Sequence, residues 1–240
     1  MQTIINYFTN TFWPLVVEFF SHTWLITEQL VWPSTLQTIS MVFFSTLFSV
    51  LIGLPLGILL FITGPSGITP KKVLNTALSR CIDFLRSFPF LILMVTILPV
   101  TRLILGKAIG TGATIVPLSI AAAPFVARVI ETSLIEIDPG VITAARAMGS
   151  TNWQIIYKVL VPEVLPGIVS GITLTVINLI SYSAMAGTVG GGGLGDLAIR
   201  YGYQRFRTDV MVEAVIVIII RVTVIQYVGT KTAENILKKR

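Results

Sequence analysis

Few side chains in this sequence could do chemistry, and their types favour solvation and docking over catalysis. His22 and Cys81 are the single histidine and the single cysteine. A metal site needs several Cys, His or carboxylate ligands brought together, so neither makes one, and one cysteine closes no internal disulfide. Gly190, Gly191, Gly192, Gly193 and Gly195 have the composition of a phosphate cradle, but no Gly-Lys-Ser/Thr follows them. They read instead as a flexible loop where backbones pack closely. What remains is polar groups set into apolar runs. Asn178 and Tyr182 are four apart on one helical face, with Met185 three further on and Ser181 and Ser183 alongside. Such a face either lines a path for an amphiphilic solute or hydrogen-bonds across a helix interface. Arg86, close to Asp83, is either an anchor that snorkels to the membrane edge or a gate. Arg221 sits within the apolar run Val215 to Val224. A charge there costs several kcal/mol unless it snorkels, pairs with an acid or meets another subunit. No carboxylate lies in mid-run, Glu131 being at the end of one, which disfavours proton coupling.

A second set of residues, Asp138 to Pro166, has the spacing of a docking element. Asp138 and Pro139 are a helix cap and a first helical position. Ala144, Ala145 and Ala147 give the helix a low profile that lets another surface approach. Gly149 suits the left-handed position that ends a helix, and Thr151 with Gln154 forms a capping box for the next one. Pro162 and Pro166 are expected to close that second helix and open the following element. By spacing alone, an ordinary surface helical hairpin is an equal reading.

The elements that position these groups are membrane spans. Of 240 residues, 54% are hydrophobic and 12% charged, and the mean hydropathy is +0.86; a soluble domain carries about a quarter charged residues. Five spans are expected: within Thr35 to Ile62, about Leu85 to Leu105, Ala108 to Ala127, within Val164 to Gly187, and within Val210 to Thr230. Each is long enough for a hydrocarbon layer of about 30 Å. Residues 7–20 are apolar but short and interrupted by Pro14, which reads as an interfacial helix. Residues 1–33 then form an N-terminal interfacial or periplasmic segment, 34–230 the transmembrane domain with a cytoplasmic loop at 138–162, and 231–240 a basic cytoplasmic tail. Residues 1–33 hold no Lys or Arg, so no cleavable signal peptide is expected. His22, among aromatic residues, reads as interfacial packing. Lys71, Lys72, Arg80 and Arg86 and the C-terminal Lys231, Lys238, Lys239 and Arg240 fall on one side of five spans. By the positive-inside rule the N-terminus is outside and the C-terminus inside. The net charge of +6 is spread over loops and the C-terminus, which suits membrane anchoring and not nucleic-acid binding. No inverted repeat is visible, which weighs against a secondary transporter.

Four stretches resemble one family. Thr143-Ala144-Ala145, Gly149 and Val159-Leu160-Val161-Pro162 follow the spacing of the cytoplasmic pattern Glu-Ala-Ala, three residues, Gly, nine residues, Ile-x-Leu-Pro in the membrane subunits of ABC importers. Thr143 stands where that pattern has Glu, and valines replace Ile and Leu. The run Gly190 to Phe206, Arg86-Ser87-Phe88-Pro89-Phe90 and Ile120 to Arg128 are similar to methionine-type ABC importer permeases, and the likeness covers roughly residues 34–230. The resemblance implies an all-α polytopic permease of the type I importer fold in a bacterial inner membrane, translocating D- and L-methionine. It also implies two copies of this chain, two ATPase subunits that hold the ATP and magnesium, and an external substrate-binding lipoprotein. No cofactor, catalytic residue or metal is expected in this chain. Thr143, Ala144, Ala145, Gly149 and Pro162 would couple to the ATPase, and Asn178, Tyr182, Met185 and Arg86 are candidates for the translocation path. The nearest rival is a permease for another amino acid; a stand-alone channel or carrier, and an assembly subunit, are the competing classes.

Overall fold

The computed structural model describes residues 27–238, so the interfacial helix expected at 7–20 and His22 lie outside the described residues. Within them all regular structure is helical. A wide π-helical turn, Thr27–Val31, leads into α1, Trp32–Thr63, with Pro33 at the junction of the two. α1 packs along α4, Thr111–Ile135. Gly53 and Gly57, four apart, make that approach possible: a Cβ on Gly53 would stand 2.6 Å from the Ala123 carbonyl oxygen, and one on Gly57 2.5 Å from that of Ala127. This is the small-residue packing that membrane helices use in place of a hydrophobic driving force.

Between them lie α2, Lys72–Arg86, and α3, Phe90–Leu105. The second span was expected from about Leu85 to Leu105. The chain instead bends by 104° at Ser87–Pro89. Pro89 has no N–H to continue a helix and pushes the residue before it out of helical geometry. α4 in turn runs on past Ala127 and carries Arg128 and Glu131.

Next come α5, Pro139–Ala147, and α6, which is built from Asn152–Gln154, a π-helical stretch Ile155–Leu160 and Val161–Glu163. α6 passes through Pro162 and does not close there; the break comes at Val164, just before α7, Leu165–Gly187. The widened π turn ahead of Pro162 loosens the regular ladder that a proline would otherwise disrupt. α8, Gly193–Leu197, continues as π-helical Ala198–Tyr203, and α9 spans Thr208–Leu237. The residues expected as a separate basic tail from 231 thus continue α9 to Leu237.

α1, α4 and α7 are long and apolar enough to cross a membrane, and the bent α2–α3 pair makes a fourth crossing if taken as one. α9 holds the place of the fifth expected span. Two cores hold the bundle together. One joins Met41 of α1, Phe90 and Met94 of α3, Leu118 of α4 and Leu179 of α7. The other joins Phe61, Ile130 and Leu134 to Ala145 of α5 and Ile155 and Leu160 of α6.

Candidate functional site

α5 and α6 form a short projection whose ends are closed by their own residues. The Asp138 carboxylate accepts from the Gly140 N–H at 2.7 Å, and Pro139 opens the helix. Gly149 has φ +79° and ends it, the Ser150 N–H reaching back to the Ala145 carbonyl at 3.1 Å. The Thr151 hydroxyl accepts from the Gln154 N–H at 3.3 Å while the Gln154 side-chain oxygen accepts from the Thr151 N–H at 2.8 Å. These are the cap, the glycine turn and the capping box expected from the sequence.

Ala145 does not face outward. It is 2% exposed and belongs to the core with Phe61, Ile130 and Ile155. The outward surface carries Thr143, Ala144, Ala147 and Gly149, with Pro162 also exposed on α6. The Thr143 hydroxyl turns back to the Pro139 carbonyl at 3.0 Å. Three large side chains that the motif spacing did not single out stand beside it: Met148, Trp153 and Tyr157 are 79%, 78% and 74% exposed. Trp153 and Tyr157, four apart and so on one helical face, were the signal that could have found them. Exposed aromatic residues of this kind carry much of the energy of protein interfaces. A further tie was invisible in the sequence: Arg146 Nη2 donates to the Ile68 carbonyl at 2.7 Å.

The polar face of α7 is divided. Tyr182 is half-buried and stacks flat on Phe90, ring centroids 4.5 Å apart, which makes it a bolt between α7 and α3. Asn178 is half-buried and its side chain makes no hydrogen bond among the described residues, while Ser181 and Met185 are exposed. Arg86 stands apart from these, exposed at the end of α2. Its link to Asp83 is a loose 4.0 Å. Asp83 is held by Arg128 of α4 at 2.8 Å, and Arg128 also bonds Glu131 at 2.6 Å and the Ser79 hydroxyl at 2.5 Å. Arg221 borders an apolar groove of about 610 Å³ between α1, α7 and α9, without an ion pair among the described residues. The glycines at 190–193 do pack closely, as expected, yet from Gly193 the segment is helical. Gly193 and Leu194 donate their N–H groups to Gln37 Oε1 and Thr38 Oγ1 at 2.8 and 2.9 Å.

Among the described residues no cluster of His, Cys, Asp or Glu could hold a metal. What the geometry offers is a stiff external knob rooted in the core of a helical membrane bundle. Comparison with known proteins decides the family. Residues 53–230 match the model of the binding-protein-dependent transport system inner membrane component. The chain belongs to this family. It is thus a multi-pass inner membrane permease component of a transporter and not an enzyme in its own right.

Individual members give the same answer. The chain is 49% identical over 204 residues to the probable D-methionine transport system permease protein MetI of Vibrio cholerae serotype O1, covering 85% of this chain and 91% of that one. It is 48% identical over 164 residues to the D-methionine transport system permease protein MetI of Escherichia coli strain K12, covering 68% and 73%. Among solved structures, an inward-facing MetNI methionine ABC transporter superposes with a TM-score of 0.86 at 43% identity, covering 88% of this chain and 97% of that one.

Proposed function

We propose that this permease component imports methionine, in both its D and L forms, with energy drawn from ATP that a partner hydrolyses. The observation that supports it is the knob at 138–162: exposed outside, anchored inside by Ala145, and set on a chain that carries no nucleotide-binding motif. Relatives at 48–49% identity named for D-methionine transport support the substrate.

In this reading two copies of the chain meet two ATPase subunits on the cytoplasmic side and an external binding lipoprotein on the other. The N-terminus lies outside and the C-terminus inside. Thr143, Ala144 and Gly149 present the surface that enters the ATPase, Ala145 roots it, and Pro162 lies in the helix that returns to the membrane. Closure of the ATPase pair moves α5, and the knob carries that displacement into α1, α4, α6 and α7 through their shared core. The two permeases then exchange inward- and outward-facing states, a population shift driven by differential binding. Asn178 and Met185, with Arg86 at the inner end, border the solute path, and Tyr182 positions α7 against α3. The binding protein supplies selectivity, so the path needs only weak affinity.

The test is reconstitution of the chain with a partner ATPase and binding protein, followed by uptake of labelled L- and D-methionine. Uptake that needs ATP and all three components is expected. Uptake without the ATPase, or competition by an unrelated amino acid but not by methionine, would overturn the reading.

A further inference from the structure

We propose that α2 is a strap on the inner leaflet, and that it binds anionic phospholipid headgroups. One face of the helix is already occupied. Ile82 is 4% exposed and packs with Leu60 of α1 and Ala127 of α4. Asn75 Nδ2 donates to the Leu60 carbonyl at 2.8 Å. These contacts fix how α2 is rotated. The 104° bend into α3 fixes how it lies: with α3 crossing the membrane, α2 runs close to the plane of the bilayer.

The rotation leaves a second apolar stripe turned outward, touched only at its end, where the Phe84 ring meets Phe88 edge-on at 5.1 Å. Val73 and Phe84 are 87% and 64% exposed, and Leu74, Ala77 and Cys81 are exposed on the same side. Lys71, Lys72 and Arg80, all exposed, flank it. The acid of α2, Asp83, is engaged by Arg128 at 2.8 Å, so the free charges around the stripe are positive. Apolar side chains beside a basic edge are the pattern of a helix lying in the headgroup region, where anionic lipids attract the cations. Water does not suit Val73 and Phe84. A second copy of the chain suits the stripe poorly as well, because a two-fold contact would set these cations against the same cations. The leaflet assignment rests on the orientation proposed above; the lipid contact does not.

Three readings test it on the reconstituted complex. A spin label on Cys81, the single cysteine of the chain, should be reached by oxygen more than by a water-soluble nickel chelate. Native mass spectrometry should show phosphatidylglycerol retained by the wild type and lost in a K71Q/K72Q/R80Q variant of unchanged melting temperature, about fivefold for each charge removed. Equal retention in the variant, a label reached mainly by the nickel chelate, or crosslinking of Cys81 to Cys81 between copies would each overturn the strap. The leaflet is read separately with S66C in a C81S background: an impermeant thiol reagent should reach it from the inside. Labelling from outside, with lipid loss still seen in the triple variant, would overturn the inner placement and leave the lipid contact.

Discussion

Arg146 donates a hydrogen bond of 2.7 Å to the backbone carbonyl of Ile68. The bond ties the helix of the knob to the loop joining α1 and α2, so the knob cannot tilt without pulling on that loop. Arg146→Ala removes a charge-assisted bond worth about 1 kcal/mol at this partly exposed site. The ATPase should still co-purify, while ATP hydrolysed per methionine imported rises; a normal ratio would show that force does not pass through this bond.

Ala144 and Ala145 are neighbours with opposite exposure. Ala145→Arg forces a long charged side chain into a site that is 2% exposed and should cost about 3 kcal/mol or more, seen as a lower melting temperature of the isolated permease. Ala144→Arg should leave melting unchanged and abolish co-purification of the ATPase.

Trp153 offers an exposed aromatic surface beside the knob. Trp153→Ala should weaken ATPase binding by about 2 kcal/mol, roughly thirtyfold, if the aromatic behaves as an interface anchor. Binding measured in detergent should fall with little change in permease melting.

Gly149 has φ +79° and nothing within 4 Å of where a Cβ would stand. Space is therefore no obstacle, and Gly149→Ala should cost about 1 kcal/mol through backbone strain alone. Gly149→Asn should cost less, because Asn tolerates this conformation, whereas Gly149→Val should strain the turn enough to uncouple hydrolysis from uptake.

Arg128 and Asp83 are partners of unequal weight. Asp83 is largely exposed, and Asp83→Asn should cost no more than about 1 kcal/mol. Arg128→Gln strips the counter-charge from Glu131, whose side chain is 14% exposed, and should cost about 3 kcal/mol. Thermal unfolding of the two variants should separate them clearly.

Where local chemistry decides, the sequence was readable. Asp138, Pro139, Gly149, Thr151 and Gln154 act through neighbours within a few residues, and each does what its type and spacing imply. The spans were readable because apolar length in a bilayer leaves few alternatives to a helix. Other features were not readable because they depend on which way a residue points once distant elements meet. Ala145 turns inward because Phe61 and Ile155 are there to receive it. Which of the two readings Tyr182 takes depends on Phe90, which arrives opposite it from a distant element. The pair Gly53 and Gly57 was legible as small residues four apart, yet their partner, α4, is supplied by the fold.

The bend at Ser87–Pro89 leaves α3 with 16 residues, a rise of about 24 Å. A hydrocarbon layer of about 30 Å is thicker than that. Lipids beside α3 are expected to thin to match it, so uptake in vesicles should vary with the acyl-chain length of the surrounding membrane.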